Sequence, residues 1–252
     1  MKIQPHIDEQ FKGDIWQLEI DEITETIFIE VRNGTEKQVS FSSIDLVKGK
    51  VCFKDFTTPE RWLTGIETAF DGVLLLHNYL SETGPVHKGL VAVDGRSTEI
   101  LWSNYTLGFD HLTDEGPVVF DAHMHPRKLF LADIRTGATK RIYEPSIYKP
   151  LKNSVVKPEI IHQGSLPVEM PGMHPFGEQV HYLEYNNLRI VSLHALKAGI
   201  LSQTIFIMDD AKIVYEDLLN ASIQKLQPEA FIMHKNHVIY IKNKSVLKIL
   251  AL

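Results

Sequence analysis

The stretch Phe120-Asp121-Ala122-His123-Met124-His125-Pro126 has the residue types and spacing of a metal site. Residues two apart on a strand share a face, so Asp121, His123 and His125 converge on one divalent ion if that stretch is extended. A second set is spread along the chain. His77 closes the apolar run Leu74-Leu75-Leu76, and His194 closes Val191-Ser192-Leu193. Glu30 and Arg32, then Asp121 and His123, end comparable runs. Neutral imidazole ligates metals or takes protons near pH 7, and carboxylates and a guanidinium beside it suit a polar ligand. Glu30, Glu67 and Asp121 are also the candidates for paired-carboxylate acid/base chemistry, although no spacing pairs them.

Asp121-x-His123-x-His125 resembles the strand-one metal motif of amidohydrolases. That family needs a (β/α)₈ barrel downstream, and the 127 residues after His125 show no alternating helices. The resemblance therefore stops at the motif. Glycine-rich phosphate loops, a Gly-x-Ser-x-Gly elbow and a His-Glu-x-x-His helix are all missing. One cysteine, Cys52, permits neither an internal disulfide nor a cysteine-based zinc site, and Val51-Cys52-Phe53 reads as a buried, inert thiol. A net charge of −6 argues against nucleic acid and anionic membrane as partners. Lys235, Lys242, Lys244 and Lys248 alternate with apolar residues and read as the solvent face of strands. The N-terminal residues have no apolar signal core and no window is long enough to span a bilayer, so a cytoplasmic location is expected.

The elements that must position these residues are strands. Short β-branched and aromatic runs such as Thr26–Arg32, Val73–Tyr79, Leu90–Val93 and Leu188–Leu196 lie between Gly, Asn, Asp and Pro, and helical periodicity is weak. One unit recurs: a strand ending in Asp, a turn, and a second strand. It appears at Asp45, Asp94 and Asp133, and in shorter form at Asp209, spaced 49, 39 and then 76 residues apart. Four residues after the Asp stands Gly49 or Gly137, with Thr98 in that place in the middle copy. An Asp there accepts backbone N–H groups, and a Gly supplies positive φ. Ala92-Val93-Asp94 through Trp102 resembles the outer hairpin of a quinoprotein-type, WD40-like propeller blade. The resemblance implies an all-β fold, a single β-propeller domain over residues 1–252. It would have about five four-stranded blades, with Trp102 packed between two of them. The spacing of about 40–50 residues fits such blades. The last repeat lacks an outer strand, which the N-terminus, within residues 1–20 and with 15–20 as the first candidate, is expected to supply to close the ring. Residues 145–177 hold half of the prolines and read as an insertion, with Tyr148, His162, Met173 and His174 as polar or soft side chains.

The chain resembles uncharacterised bacterial propeller families of unknown function. The degenerate repeats and the missing catalytic and export signals point to a non-enzymatic module that binds a protein or a small polar ligand at one rim. The alternative is a five-bladed hydrolase or lyase with a central carboxylate or a metal/His cluster. Equivalent blade positions are expected to bring His77, His194, His123, Asp121, Glu30 and Arg32 to one rim. No cofactor is expected beyond a divalent metal. Oligomeric state is not encoded in any motif.

Overall fold

A computed structural model describes residues 3–167 and 175–252. Its strands, in chain order, are β1 (Pro5–Gln10), β2 (Asp14–Asp21), β3 (Thr26–Asn33), β4 (Gln38–Asp45), β5 (Lys50–Phe56), β6 (Thr64–Phe70), β7 (Val73–Ser81), β8 (Gly84–Asp94), β9 (Ile100–Asn104), β10 (Leu107–Thr113), β11 (Gly116–Asp121), β12 (Leu129–Ala132), β13 (Thr139–Ile142), β14 (Val155–Val156), β15 (Glu159–His162), β16 (Pro175–Tyr185), β17 (Leu188–Lys197), β18 (Ile200–Asp209), β19 (Lys212–Ile223), β20 (Ile232–His234), β21 (His237–Lys242) and β22 (Val246–Ala251). A 3-10 turn at Gln163–Ser165 is the one helical element among the described residues.

These strands form five antiparallel sheets, four of which follow the chain as simple meanders. Sheet I is β2–β5, sheet II is β6–β9, sheet III is β10–β13 and sheet IV is β15–β19. Sheet V runs β1-β22-β21-β20-β14. Four meanders in chain order and a fifth sheet, in which the N-terminal strand β1 and β14 flank β20–β22, make the fold an all-β propeller of five blades. The chain divides into two compact units: Lys12–Asn153 with sheets I to III, and Ser154–Leu252 with the N-terminal stretch through Phe11.

The N-terminal strand that completes sheet V is Pro5–Gln10, paired with Val246–Leu250. Residues 15–20, the stretch expected in that place, lie inside β2 and begin sheet I. The Pro-rich segment supplies β14 and β15, which give sheets V and IV a fifth strand each. Met173 and His174, expected to matter within that segment, lie outside the described residues.

The unbroken run Val73-Leu74-Leu75-Leu76 follows from burial of both faces of β7. Leu74 and Leu76 pack with Phe28, Phe41 and Ile66 on one side. Val73 and Leu75 pack with Leu107, Val119 and Ile134 on the other. Burial of both faces then leaves no polar position until His77, midway along β7.

The outer hairpins follow the repeat. Asp45 accepts the Lys48 N–H at 2.9 Å. Asp94 accepts those of Arg96 and Ser97 at 3.0 and 2.8 Å. Asp133 accepts those of Arg135 and Thr136 at 3.0 and 2.9 Å. Asp209 pairs with Lys212 across a two-residue turn. Gly49, Thr98 and Gly137 have φ of +62°, +67° and +70°, so Thr98 adopts the backbone that the other copies give to glycine. Trp102 is half-buried rather than fully enclosed. Its indole donates to the Ile134 carbonyl at 2.8 Å, and its ring covers Gly137, where a Cβ would lie 2.7 Å from it.

Candidate functional site

Sheets I, II and III share one local irregularity. The first strand of each carries a bulge, and the extra residues are Trp16, Glu67 and Asp110. A bulge turns its side chain out of the strand's alternation, a recurrent device beside functional sites.

Next to these bulges, acidic side chains of sheet I satisfy the free edge of β6 and the turn that follows it. Glu30 Oε2 accepts the Ile66 N–H at 2.8 Å, and Asp21 Oδ2 accepts that of Gly72 at 2.6 Å. Glu19 accepts the Thr68 hydroxyl at 3.0 Å and the Ala69 N–H. Burial raises the Glu19 carboxyl above its ordinary value despite those bonds. Unpaired N–H groups on an edge strand are costly once buried, and carboxylates are strong acceptors for them.

Glu30 and Arg32 lie two apart on β3 and so share a face. The Arg32 Nε donates to Glu30 Oε1 at 2.7 Å, and an Nη donates to the Thr64 carbonyl at 2.9 Å. Glu30 is only 1% exposed. Three rings surround the guanidinium, with its carbon 5.5 Å from the Trp16 centroid, 5.3 Å from Trp62 and 5.9 Å from Tyr79. These distances suit cation–π attraction and stacking. Arg32 and the three rings line an open cleft of about 610 Å³ within the Lys12–Asn153 unit, together with Asp14 and Glu82. Trp16 is 66% exposed. Burial raises the Tyr79 hydroxyl above its ordinary value, the Arg32 charge working against it.

Tyr79 joins this cleft to a second cluster. Its ring meets those of His77 and His87 edge-on, with centroids 4.6 and 5.3 Å away. The two imidazoles are stacked, with centroids 3.5 Å apart and planes 7° from parallel. Both Nδ1 atoms face one carboxylate oxygen: Glu67 Oε2 lies 3.1 Å from His77 Nδ1 and 2.9 Å from His87 Nδ1. The His87 contact is a hydrogen bond. The His77 contact lacks hydrogen-bond alignment, and both nitrogens of that buried ring are without a hydrogen-bond partner. Directly opposite His77 stands Gly65, where a Cβ would lie 3.0 Å from His77 Nε2 and 3.1 Å from Glu30 Oε2.

Of the residues expected at one site, Glu30, Arg32 and His77 come together around Thr64 and Gly65. Asp121 ends β11, and its carboxylate accepts the His123 N–H at 2.8 Å in a turn. The stretch Asp121–His125 is therefore not one strand, and its side chains do not share a strand face. The His123 side chain is 78% exposed, 3.5 Å from Asp121. Among the described residues, the one group of three side chains spaced to hold a metal is Glu67, His77 and His87, not Asp121, His123 and His125.

His77 and His194 are also out of register. Asp45, Asp94 and Asp209 pair with Thr26, Val73 and Leu188. Counted from those partners, Glu30 and His77 share one position, and Arg32, Tyr79 and His194 share another two residues on. In the unit containing Ser154–Leu252, His194 Nε2 accepts the Gln227 N–H at 2.9 Å, and His181 Nε2 donates to the Pro228 carbonyl at 3.1 Å. Burial, reinforced by the nearby His181 charge, pushes the His194 imidazole down to about 4. The pair holds the 227–228 backbone in place.

Residues 20–102 match the model of a family described as a domain of unknown function (DUF4905). The matched stretch contains Glu30, Arg32, Glu67, His77 and His87. No curated protein matches the chain. Among solved structures, a GH43 endo-arabinanase from Bacillus licheniformis aligns at 13% identity over 95% of this chain and 94% of that one, with a TM-score of 0.28.

Sequence reasoning singled out Glu67 and His77 but missed His87 and the aromatic residues. The strand signal there begins at Leu90, whereas β8 begins at Gly84. The signal that finds His87 is the turn at Glu82-Thr83. Folding the chain back from Tyr79 across that turn sets His87 opposite it.

Proposed function

We propose that this protein is a non-enzymatic, cytoplasmic binding module of the quinoprotein-like propeller type. It takes a small polar ligand with one flat face into the cleft lined by Trp16, Arg32, Trp62 and Tyr79. The observation that supports the reading is Arg32 held among three aromatic rings, with Trp16 open to solvent. An exposed indole is costly unless something covers it, and aromatic surface with a few convergent polar groups is the usual make-up of a ligand pocket. Arg32 is already neutralised by Glu30, and Asp14 and Glu82 add negative charge to the lining, which suits a ligand rich in hydroxyl or amide groups over a polyanion.

Two of the three tryptophans line the cleft, so ligand binding is readable in intrinsic fluorescence. Titration with saccharides, nucleosides and small carboxylates to about 10 mM is expected to give a saturable change with at least one neutral member. Trp16→Ala is expected to abolish it. A panel that leaves the fluorescence unchanged, or a response that survives in Trp16→Ala, refutes the small-ligand reading and leaves a protein partner.

A further inference from the structure

We propose that Glu67, His77 and His87 form a binding site for one divalent transition-metal ion of the zinc or ferrous class. The proposal stands independently of any ligand in the cleft.

The donor set is two imidazole nitrogens and one carboxylate oxygen, all within 4.8 Å of one another. Such borderline donors suit zinc, iron(II), cobalt(II) and nickel(II), whereas calcium and magnesium take oxygen ligands. The separations agree with this. Neighbouring ligands on an ion with bonds of about 2.1 Å lie roughly 3 Å apart when the angle between them is near 90°. Glu67 Oε2 lies 3.1 and 2.9 Å from the two Nδ1 atoms.

A second observation points to a ligand. The His77 side chain is 3% exposed, and neither ring nitrogen has a hydrogen-bond partner. A buried imidazole in that state is costly, and a metal bond at Nδ1 removes the deficit there. The sequence places the donors on purpose-shaped backbone. Glu67 is the extra residue of a bulge, and Gly65 opposite His77 leaves the ring room that any Cβ would take.

Loading requires one movement. Stacked rings point their lone pairs nearly parallel, while two imidazoles on one ion fan apart. His77 is locked by burial, so His87, whose side chain is 41% exposed, is the ring that swings. The site then offers three protein ligands from one side and leaves the remaining positions to water, the arrangement of an open rather than a closed centre. Binding forms donor bonds from the two ring nitrogens and the carboxylate oxygen and involves no redox step.

The test uses the full chain, stripped with chelator and titrated with cobalt(II) and with zinc(II). Calorimetry and the visible absorption of cobalt(II) read the binding, and melting temperature is followed in parallel. The wild type is expected to bind one equivalent, with a cobalt spectrum of nitrogen and oxygen ligation and a metal-dependent rise in melting temperature. His87→Ala removes an exposed side chain and is expected to fold. It should weaken binding by more than the roughly 10–100-fold that loss of an outer-shell partner costs. Glu67→Gln is expected to do the same, and His123→Ala to change nothing. Trp16→Ala should retain metal binding, which separates this proposal from the cleft reading. Wild type that binds neither metal overturns the proposal, as does binding that survives His87→Ala or disappears in His123→Ala.

Discussion

At the scale of the residue, the Glu30 carboxylate is tightly constrained. It is enclosed, and the Arg32 guanidinium and the Ile66 N–H hold its two oxygens. Removing one partner of a buried ion pair leaves an uncompensated charge, which costs about 3–5 kcal/mol. Arg32→Met is therefore expected to destabilise the protein by about 3 kcal/mol. Adding Glu30→Gln should recover part of the loss, because the remaining amide carries no charge. Urea midpoints of the two single variants and the double variant check this, and an Arg32→Met midpoint within error of wild type refutes it. The sequence exposed Glu30, Arg32 and His77 as polar ends of apolar runs, which is a one-dimensional signal. It could not separate a carboxylate that satisfies an edge strand from one that meets a ligand. That distinction depends on which backbone N–H lies opposite, and this is set by a neighbouring sheet.

At the scale of the element, the outer hairpin was legible because its chemistry is local. An Asp that accepts the next N–H groups and a residue at positive φ four positions later need no tertiary information. The middle copy breaks the rule with a β-branched residue: Thr98 stands at φ +67° where its counterparts are glycine. The left-handed region costs a residue with a Cβ about 1–2 kcal/mol, and glycine returns roughly 0.5–1 kcal/mol of that as chain entropy. Thr98→Gly is therefore expected to raise stability by about 0.5–1 kcal/mol. Gly137→Ala, the reverse change at the equivalent place, is expected to lower it by at least about 2 kcal/mol. It adds the same backbone strain to a collision with the Trp102 ring. Opposite signs in thermal melts confirm that the copies share one backbone; equal signs refute it. The bulges at Trp16, Glu67 and Asp110 were not legible, because an extra residue in a strand leaves no compositional mark. That is why the face on which Glu67 appears could not be assigned in advance.

At the scale of the whole molecule, fold class was readable because five antiparallel sheets need five sets of turns, and the turns are written in Asp, Gly and Asn. The completing strand was anticipated within residues 1–20, and Pro5–Gln10 lies in that range. Residues 15–20 look the more apolar candidate, yet Pro5–Gln10 takes the place with Ile7 as its one fully buried side chain. An edge strand buries little, so hydrophobicity is a poor guide to it. Stability against pH reads the molecule as a whole. His194 has a folded value near 4 against 6.5 for the free group. Below pH 6.5 the unfolded chain takes up a proton that the folded chain refuses until about pH 4, so stability falls across that window. At pH 4.5 the loss is about 2.5 kcal/mol. Asp217 behaves differently. Burial pushes its carboxyl up, but the hydrogen bonds from Lys242, Tyr240 and Lys248 outweigh it and hold the group below its ordinary 3.8. Its contribution is complete above that value and is lost only as pH falls further. Acid unfolding should therefore show two ramps, one from pH 6.5 to about 4 and a second below it. His194→Gln keeps an acceptor for the Gln227 N–H and cannot titrate, so it should flatten the first ramp and leave the second. Guanidinium midpoints at pH 7, 5.5, 4.5 and 3.5 for both proteins measure this. A variant that keeps the wild-type slope between pH 6.5 and 4.5 shows that the buried His194 imidazole is not the group responsible.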